Sequence, residues 1–427
     1  MGALVLIMAL YYGLLGWAVV RWLPARSPLG WLVAVPMAWL LLEWWRGWFL
    51  SGFPWLSLGY SQTDTWLAGF APIGGTHLIS AWLLISAGAL VTLAHEFVLA
   101  RWPASAQAPA PHRWRFIALA ALLLPWLIGA PLRSVQWTAP DGASASIAIV
   151  QGAIPQDIKW LESNHDHILD VYENLNRDAL GAQLIVWPES ALPDFANALA
   201  PWIGDQWRTV QAQGSALMLG VMRIDDNSQY VYNSVLALGD GEPGFYDKQH
   251  LVPFGEYFPV PAIVREWLRL MSLPNADFDV GVADPPALRV GALRVATSIC
   301  YEDAYFSTLR STIRDSQLLV NVTNDAWFGR SAARYQHLQI SRMRAIESRR
   351  YLLRAANDGV SAVIAPDGRI KSRAPEFAPA VLRGDIEPRG GDTPYLRLGN
   401  SPILLMAALA LAASIAFARK LPARGAV

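Results

Sequence analysis

The run Leu293-Arg294-Val295-Ala296-Thr297-Ser298-Ile299-Cys300-Tyr301-Glu302-Asp303 decides how the chain folds and where its chemistry sits. Residues 293–299 have the apolar and β-branched character of a short buried strand, and that strand ends on the only cysteine of 427 residues. Runs of the same kind lie at 147–150, 184–187, 216–221, 231–238, 318–322 and 361–364. Helical patterns separate several of them, notably at 165–179 and 335–354. Strands alternating with helices predict a layered α/β domain over residues 144–388 rather than an all-β sandwich.

Open α/β sheets present their reactive groups at strand ends. Glu189 follows the 184–187 strand in Trp187-Pro188-Glu189-Ser190, Lys248 and Glu256 follow the 231–238 strand, and Cys300 closes the 293–299 strand. A carboxylate, an amine and a thiol make a coherent set. A thiol attacks well only as thiolate, and its ordinary pKa of about 8.5 means that it needs a base or a positive neighbour. Glu189 can take the proton, and Lys248 can supply charge and hold the oxyanion of a tetrahedral intermediate.

Taken singly, each residue has an ordinary explanation. A lone cysteine after a strand is usually an inert core side chain, a glutamate after proline is a common helix-start residue, and a loop lysine is usually solvated. Their conjunction carries the catalytic reading. One cysteine also excludes an intrachain disulfide and any paired-cysteine metal site, and the seven histidines show no HExxH spacing, so no metal and no cofactor is expected.

Outside this domain the composition changes. The chain is 53% hydrophobic and 16% charged, with 20 tryptophans, which is too apolar for an ordinary soluble enzyme of this length. Charge-free or nearly charge-free runs occupy 2–20, 27–42, 47–94, 116–132 and 401–418. Each is close to the ~20 residues that a helix needs to cross a bilayer. Residues 1–135 are therefore expected to form a membrane domain of about four transmembrane helices, with a further one at 400–419. A cleaved signal peptide at the start is the weaker reading, since the first run has no basic leader and others follow it.

Basic residues sit in alternate loops: Arg21 and Arg26, then Arg101, Arg113 and Arg115, then Arg419, Lys420 and Arg424. The positive-inside rule puts these on the cytoplasmic face and the 144–388 domain on the other. The amino terminus then lies outside, an odd start for a chain that opens on an apolar run, and upstream spans are expected to be missing. The 34 Lys+Arg balance 34 Asp+Glu with no basic run, so a nucleic-acid partner is not expected.

Several longer strings complete the reading. They are Trp45-Arg46-Gly47-Trp48, Gly52-Phe53-Pro54-Trp55, Gln151-Gly152 with Ile154-Pro155-Gln156, His250-Leu251-Val252-Pro253-Phe254-Gly255-Glu256, Ile299-Cys300-Tyr301-Glu302, Asn324-Asp325-Ala326-Trp327-Phe328-Gly329 and Thr393-Pro394-Tyr395-Leu396-Arg397-Leu398-Gly399-Asn400. With them the chain resembles the nitrilase (carbon–nitrogen hydrolase) superfamily and, given its flanking spans, the bacterial apolipoprotein N-acyltransferase family. The resemblance implies an αββα sandwich inserted between transmembrane helices. It implies Glu189 as general base, Lys248 as charge and oxyanion stabiliser, and Cys300 as the acylated nucleophile, supported by Glu256, Glu302, Tyr301 and Trp160.

The reaction so implied is an exchange at the bacterial inner membrane with the catalytic domain facing the periplasm. A phospholipid, chiefly phosphatidylethanolamine, acylates the cysteine, and the α-amino group of a diacylglyceryl-modified apolipoprotein takes the chain as an amide. Family members usually carry eight spans, seven before the catalytic domain, which agrees with missing upstream spans. Two other functions stay open: a membrane-anchored nitrilase-type amidase that passes the acyl group to water, and a catalytically silent lipoprotein-binding component.

Three further segments have more than one reading. The apolar stretch 254–273 reads equally as a membrane-dipping arm or as a helix packed on the core. The arginines at 342, 344, 349, 350 and 354 are expected on an ion-paired or solvated helix face rather than on phosphate. Trp327 and Phe328 are expected to pack in the core rather than line an acyl pocket.

Overall fold

Apolar length shapes the first part of the chain. In the computed structural model, which describes residues 2–24, 27–101, 112–257, 260, 264 and 278–420, the helices here are α1 (Gly2–Trp22), α2 (Val35–Arg46), α3 (Ala71–Arg101) and α4 (Arg113–Leu132). Among the described residues four helical segments are long and apolar enough to cross a membrane: Val5–Trp22, Trp66–Phe97, Arg113–Leu132 and Ser401–Arg419. The 27–42 run is helical too, but it is split. Pro36 has no N–H to give to the Leu32 carbonyl, and the backbone takes π-helical form over Gly30–Ala34 before α2 begins.

The 47–94 run opens on short 3-10 turns from Phe49–Ser51 to Trp66–Phe70, and only then enters α3. Glu43, the carboxylate that ends the second apolar run, is satisfied inside this unit: Ser80 Oγ donates to it at 2.6 Å and the Leu58 N–H at 3.0 Å. That pairing answers the cost of a buried charge.

Residues 137–396 form a separate compact unit. Its strands are β1 (Ala139–Pro140), β2 (Ala145–Gln151), β3 (Leu184–Val186), β4 (Ala216–Ile224), β5 (Val231–Leu238), β6 (Gly244–Asp247), β7 (Leu288–Val290), β8 (Leu293–Ile299), β9 (Leu318–Thr323), β10 (Leu352–Ala356), β11 (Ala362–Ile364), β12 (Ile370–Arg373), β13 (Ala380–Ile386) and β14 (Arg389–Gly390). They make two six-stranded sheets, β13-β2-β3-β4-β5-β6 and β12-β11-β10-β9-β8-β7, each with a parallel centre, β2-β3-β4 and β8-β9-β10.

Strand periodicity explains the four layers. Ile147 and Ile149 of β2 face Val295, Val320 and Leu353 of the other sheet in a shared core. Ala148 and Val150, one residue out of phase, pack instead under Ile168, Tyr172 and Leu175 of α5 (His165–Ala179) and Ile203 of α6 (Ala200–Gln211). On the far side Ala296 and Leu319 pack under Phe306 and Leu309 of α7 (Phe306–Arg314) and Leu338 of α8 (Ala333–Ser348). Helix, sheet, sheet, helix is the αββα arrangement.

One expected element is corrected. The helix expected over 335–354 stops at Ser348, where Arg349 takes φ 53° in the left-handed region, and Arg354 lies on β10. The arginines there are neither a solvated face nor a phosphate cradle. Arg342 donates to the Gly368 carbonyl, Arg344 pairs with Glu347 at 3.0 Å, and Arg350 donates to the carbonyls of Ser316, Ser348 and Gly391. Of the 254–273 arm, residues 258–259, 261–263 and 265–273 lie outside the described residues.

Candidate active site

Glu189 stands where β3 ends. Ala191 N–H donates to the Gly220 carbonyl at 2.8 Å, which draws the Pro188–Glu189 turn over β4, and Ser190 turns it with φ 44°. A side chain does not fit beneath that turn: a Cβ on Gly220 would lie 2.3 Å from the Pro188 carbonyl oxygen and 2.6 Å from Glu189 Cα. Gly220→Ala should therefore displace Glu189 without touching any reacting group. Turnover that depends on Glu189 should fall by about 10²-fold, the usual cost of misplacing a reacting group by about 1 Å, measured on protein whose melting temperature is checked in parallel.

The Glu189 carboxylate is held from three sides. Asn233 Nδ2 donates to Oε1 at 2.8 Å, Lys248 Nζ donates to the same oxygen at 3.4 Å, and the Asn324 N–H donates to Oε2 at 2.8 Å. Lys248, fully buried, also donates to Glu256 Oε1 at 2.7 Å, and Asn233 reaches that oxygen at 3.1 Å. Glu256 Oε2 accepts the Val252 N–H at 2.8 Å. Burial works against the ammonium, but Glu256, Glu189 and Cys300 outweigh it and hold Lys248 above the ordinary lysine range. It is a fixed cation.

Cys300 turns sharply at the end of β8 with φ 55°, a left-handed conformation that is costly for any residue but glycine. The carbonyl of this elbow is held in place: it accepts from Asn321 Nδ2 at 2.9 Å and lies 3.1 Å from His337 Nε2. Glu302 ties the same elbow to the Lys248 loop. Oε2 accepts the Ile299 N–H at 2.8 Å and the Tyr246 hydroxyl at 2.9 Å, while Oε1 accepts the N–H groups of Gln249 and His250 at 2.7 and 3.0 Å. Tyr301 lies beside it, its hydroxyl donating to the Leu251 carbonyl at 2.7 Å and its ring centre 5.8 Å from Lys248 Nζ.

The thiol is half-buried, and burial, then the charge of Glu189, push its pKa up against the pull of Lys248. At neutral pH it rests protonated. Attack by this thiol would need a base, and Glu189 is the carboxylate within electrostatic reach that also shares a hydrogen bond with the fixed cation.

The structure thus brings Glu189, Lys248, Glu256, Cys300, Glu302 and Tyr301 to one end of the two sheets. Trp160 is 46% exposed on its turn, with Lys159 Nζ 5.4 Å from its ring centre. Trp327 overturns its expected place in the core, being 74% exposed. Its 3-10 turn (Asp325–Phe328) commits Asp325 to the interior and so directs the next large side chain out.

Sequence reasoning missed the frame behind the cysteine. Asp325, fully buried, meets His337 Nδ1 at 3.0 Å and accepts from Arg354 at 2.8 Å, while Arg354 also donates to Asn321 at 2.8 Å. The Asn324-Asp325 string was the visible trace of this network, but its partners lie on a helix and strand far along the chain. No group of three or more His, Cys, Asp or Glu side chains among the described residues could hold a metal ion.

Comparison with known proteins adds a second line of argument. The family described as Carbon-nitrogen hydrolase matches residues 146–395, and that described as Apolipoprotein N-acyltransferase N-terminal domain matches residues 1–89. The chain is 40% identical over 401 residues to the apolipoprotein N-acyltransferase of Chromobacterium violaceum, covering 93% of this chain and 74% of that protein. It is 41% identical over 414 residues to that of Azotobacter vinelandii, covering 96% and 78%. With that of Vibrio cholerae the identity is 38% over 427 residues, covering 98% and 81%.

Proposed function

The chain belongs to the apolipoprotein N-acyltransferase family of membrane acyltransferases, and from that premise we propose that it works through a thioester on Cys300, with Glu189 as base and Lys248 as oxyanion stabiliser. In the first half, Cys300 Sγ attacks the ester carbonyl carbon of a phospholipid. The thiol proton passes to Glu189, and the oxyanion is held by Lys248. The C–O bond breaks, the departing lysophospholipid oxygen takes the proton back from Glu189, and the acyl chain stays on sulfur. In the second half, the α-amino nitrogen of a diacylglyceryl-cysteine attacks the thioester and gives its proton to Glu189. The C–S bond breaks, and the proton returns to the thiolate.

The observation that carries this reading is the shared hydrogen bonding of Glu189 and Glu256 to one buried ammonium beside the Cys300 elbow. Glu256 and Glu302 serve as supports: the first holds Lys248 in place, the second fixes the elbow. Both Glu302 oxygens are already filled by donors from Ile299, Tyr246, Gln249 and His250, which suits an anchor rather than a base. Both substrates are lipids, and extraction from the bilayer would cost ~0.8 kcal/mol per exposed CH₂, which is the physical reason for the apolar helices. Phosphatidylethanolamine as donor, the bacterial inner membrane as location and a periplasm-facing catalytic domain complete the proposal, the orientation resting on the basic alternate loops.

The test is incubation of the detergent-solubilised chain with phosphatidylethanolamine and a diacylated lipopeptide. N-acylated peptide and lysophospholipid should appear in equal amounts, and phosphatidylglycerol should serve less well as donor. Free fatty acid without acylated peptide would instead mark a hydrolase.

A further inference from the structure

Lys159 is left unused by the mechanism above. It lies in the turn that follows Ile154-Pro155-Gln156, is fully buried, and its Nζ has no protein hydrogen-bond partner among the described residues. A buried ammonium in that condition is costly, so whatever offsets it must act at longer range. Two carboxylates do so, Glu189 and Asp358, along with the Trp160 ring whose centre lies 5.4 Å from Nζ. Asp358 Oδ1 is likewise buried and without a hydrogen-bond partner among the described residues.

The turn is bound firmly to the reactive cluster. Asn324 Nδ2 donates to Gln156 Oε1 at 2.8 Å while the Asn324 N–H donates to Glu189 Oε2 at 2.8 Å. Asn357 Nδ2 donates to the Ile154 carbonyl at 2.7 Å, and the Ile154 N–H returns a bond to Asn357 Oδ1 at 3.1 Å. Lys159 is therefore held at a set distance from Glu189 by the bonds that anchor its turn.

Charge counting shows what it does there. The charged groups tied to Glu189 include Lys248 and Glu256 on one loop, Cys300 at its elbow, and Lys159 on this turn. Glu189, Glu256 and Glu302 all draw on Lys248, an excess of negative charge that favours protonation of a carboxylate. Lys159, which Asp358 shares, offsets part of it. We propose that Lys159 is a positioning residue for the acid–base step, its buried ammonium keeping Glu189 ionised and ready to take the Cys300 proton; this role rests on Glu189 being the base. Burial draws Lys159 down to about 8 against the pull of Glu189 and Asp358, so it is cationic below that pH. Beyond it, Asp358 faces Asp325 and Arg334 as well as Lys159.

The test uses the full chain in detergent and follows alkylation of Cys300 by iodoacetamide from about pH 4 to about pH 8, the range that spans carboxylate titration. In wild type the rate rises as Glu189 loses its proton. Removing a nearby cation raises the pKa of that carboxyl, so in Lys159→Met the acid limb should move up by about one pH unit, with about tenfold slower alkylation on the limb itself. Lys159→Arg should restore the wild-type limb. Lys159→Gln should move the limb up as Lys159→Met does, and it keeps the idea testable if Lys159→Met does not fold.

A limb that persists in Glu189→Gln overturns the base assignment and this role with it. A limb that is lost in Glu189→Gln but unmoved in Lys159→Met and Lys159→Gln overturns the role of Lys159 alone. A merely structural lysine would change melting temperature and leave the limb where it is.

Discussion

Cys300→Ala should carry no acyl adduct and should transfer acyl chains at least about 10⁴-fold more slowly than wild type, while melting at the same temperature. The size of the effect follows from the step that is lost. Without sulfur there is no covalent intermediate, and the amine would have to attack a phospholipid ester directly, so that removal of the nucleophile alone forfeits most of the catalysis. No second thiol exists in the chain to take over. The fold should not notice, because alanine meets the same left-handed φ of 55° that cysteine already tolerates, and the half-buried side chain loses one atom. Intact-mass spectrometry of protein taken from membranes supplies the complementary measurement: wild type should show the increment of one fatty acyl chain, removable by neutral hydroxylamine. Residual transfer above about one per cent in Cys300→Ala would move the chemistry to another nucleophile.

How far this site could be read from sequence depends on what each residue touches. The central strands 147–150, 184–187, 293–299 and 318–322 were legible because a parallel strand buried on both faces is a continuous apolar run. Ile370–Arg373 and Ala380–Ile386 were not, since these edge strands interleave Lys371, Arg373, Arg383 and Asp385 with their apolar residues and read as loop. Arg354 was misassigned for a different reason. An arginine-rich segment has the pattern of a solvated helix, and only the turn at Arg349 and the burial of β10 show that this one is interior.

The candidate residues were visible because they follow strands, a local property. Their supports were invisible because they are meetings of remote segments. Asn233 joins Glu189 to Glu256 across separate loops, and His337 reaches the Cys300 carbonyl from a helix that starts 33 residues later. Nothing in the string near position 337 distinguishes it from an ordinary core histidine.

That hidden support is the basis of the second large effect. Arg354→Met should lower the melting temperature of the catalytic unit by roughly 10 °C and cut acyl transfer by about 10²-fold. Arg354 is fully buried and donates to Asp325 Oδ2 at 2.8 Å, Asn321 Oδ1 at 2.8 Å and Ser341 Oγ at 3.0 Å. Burial works against a charged Asp325, and Arg354 with His337 overcomes it, holding the carboxyl well below the usual carboxylate range. Taking the cation away leaves Asp325 in the interior with His337 as its remaining ionic partner, a change that costs about 3–5 kcal/mol in buried pairs. Asn321 Oδ1 loses its Arg354 donor at the same time, and Asn321 Nδ2 is one of the two donors near the Cys300 carbonyl. Stability and elbow geometry should therefore fall together.

Adding Asp325→Asn to Arg354→Met separates the two. Removing both charges lifts the penalty of an unpaired ion, so the double variant should recover part of the melting temperature. Activity should stay low, because a neutral amide in place of the Asp325 carboxylate cannot hold His337 toward the Cys300 carbonyl as an ion pair does. Equal melting of Arg354→Met and wild type, within about 2 °C, would mean that the pair is solvated and the elbow is held by Asn321 and Glu302 alone.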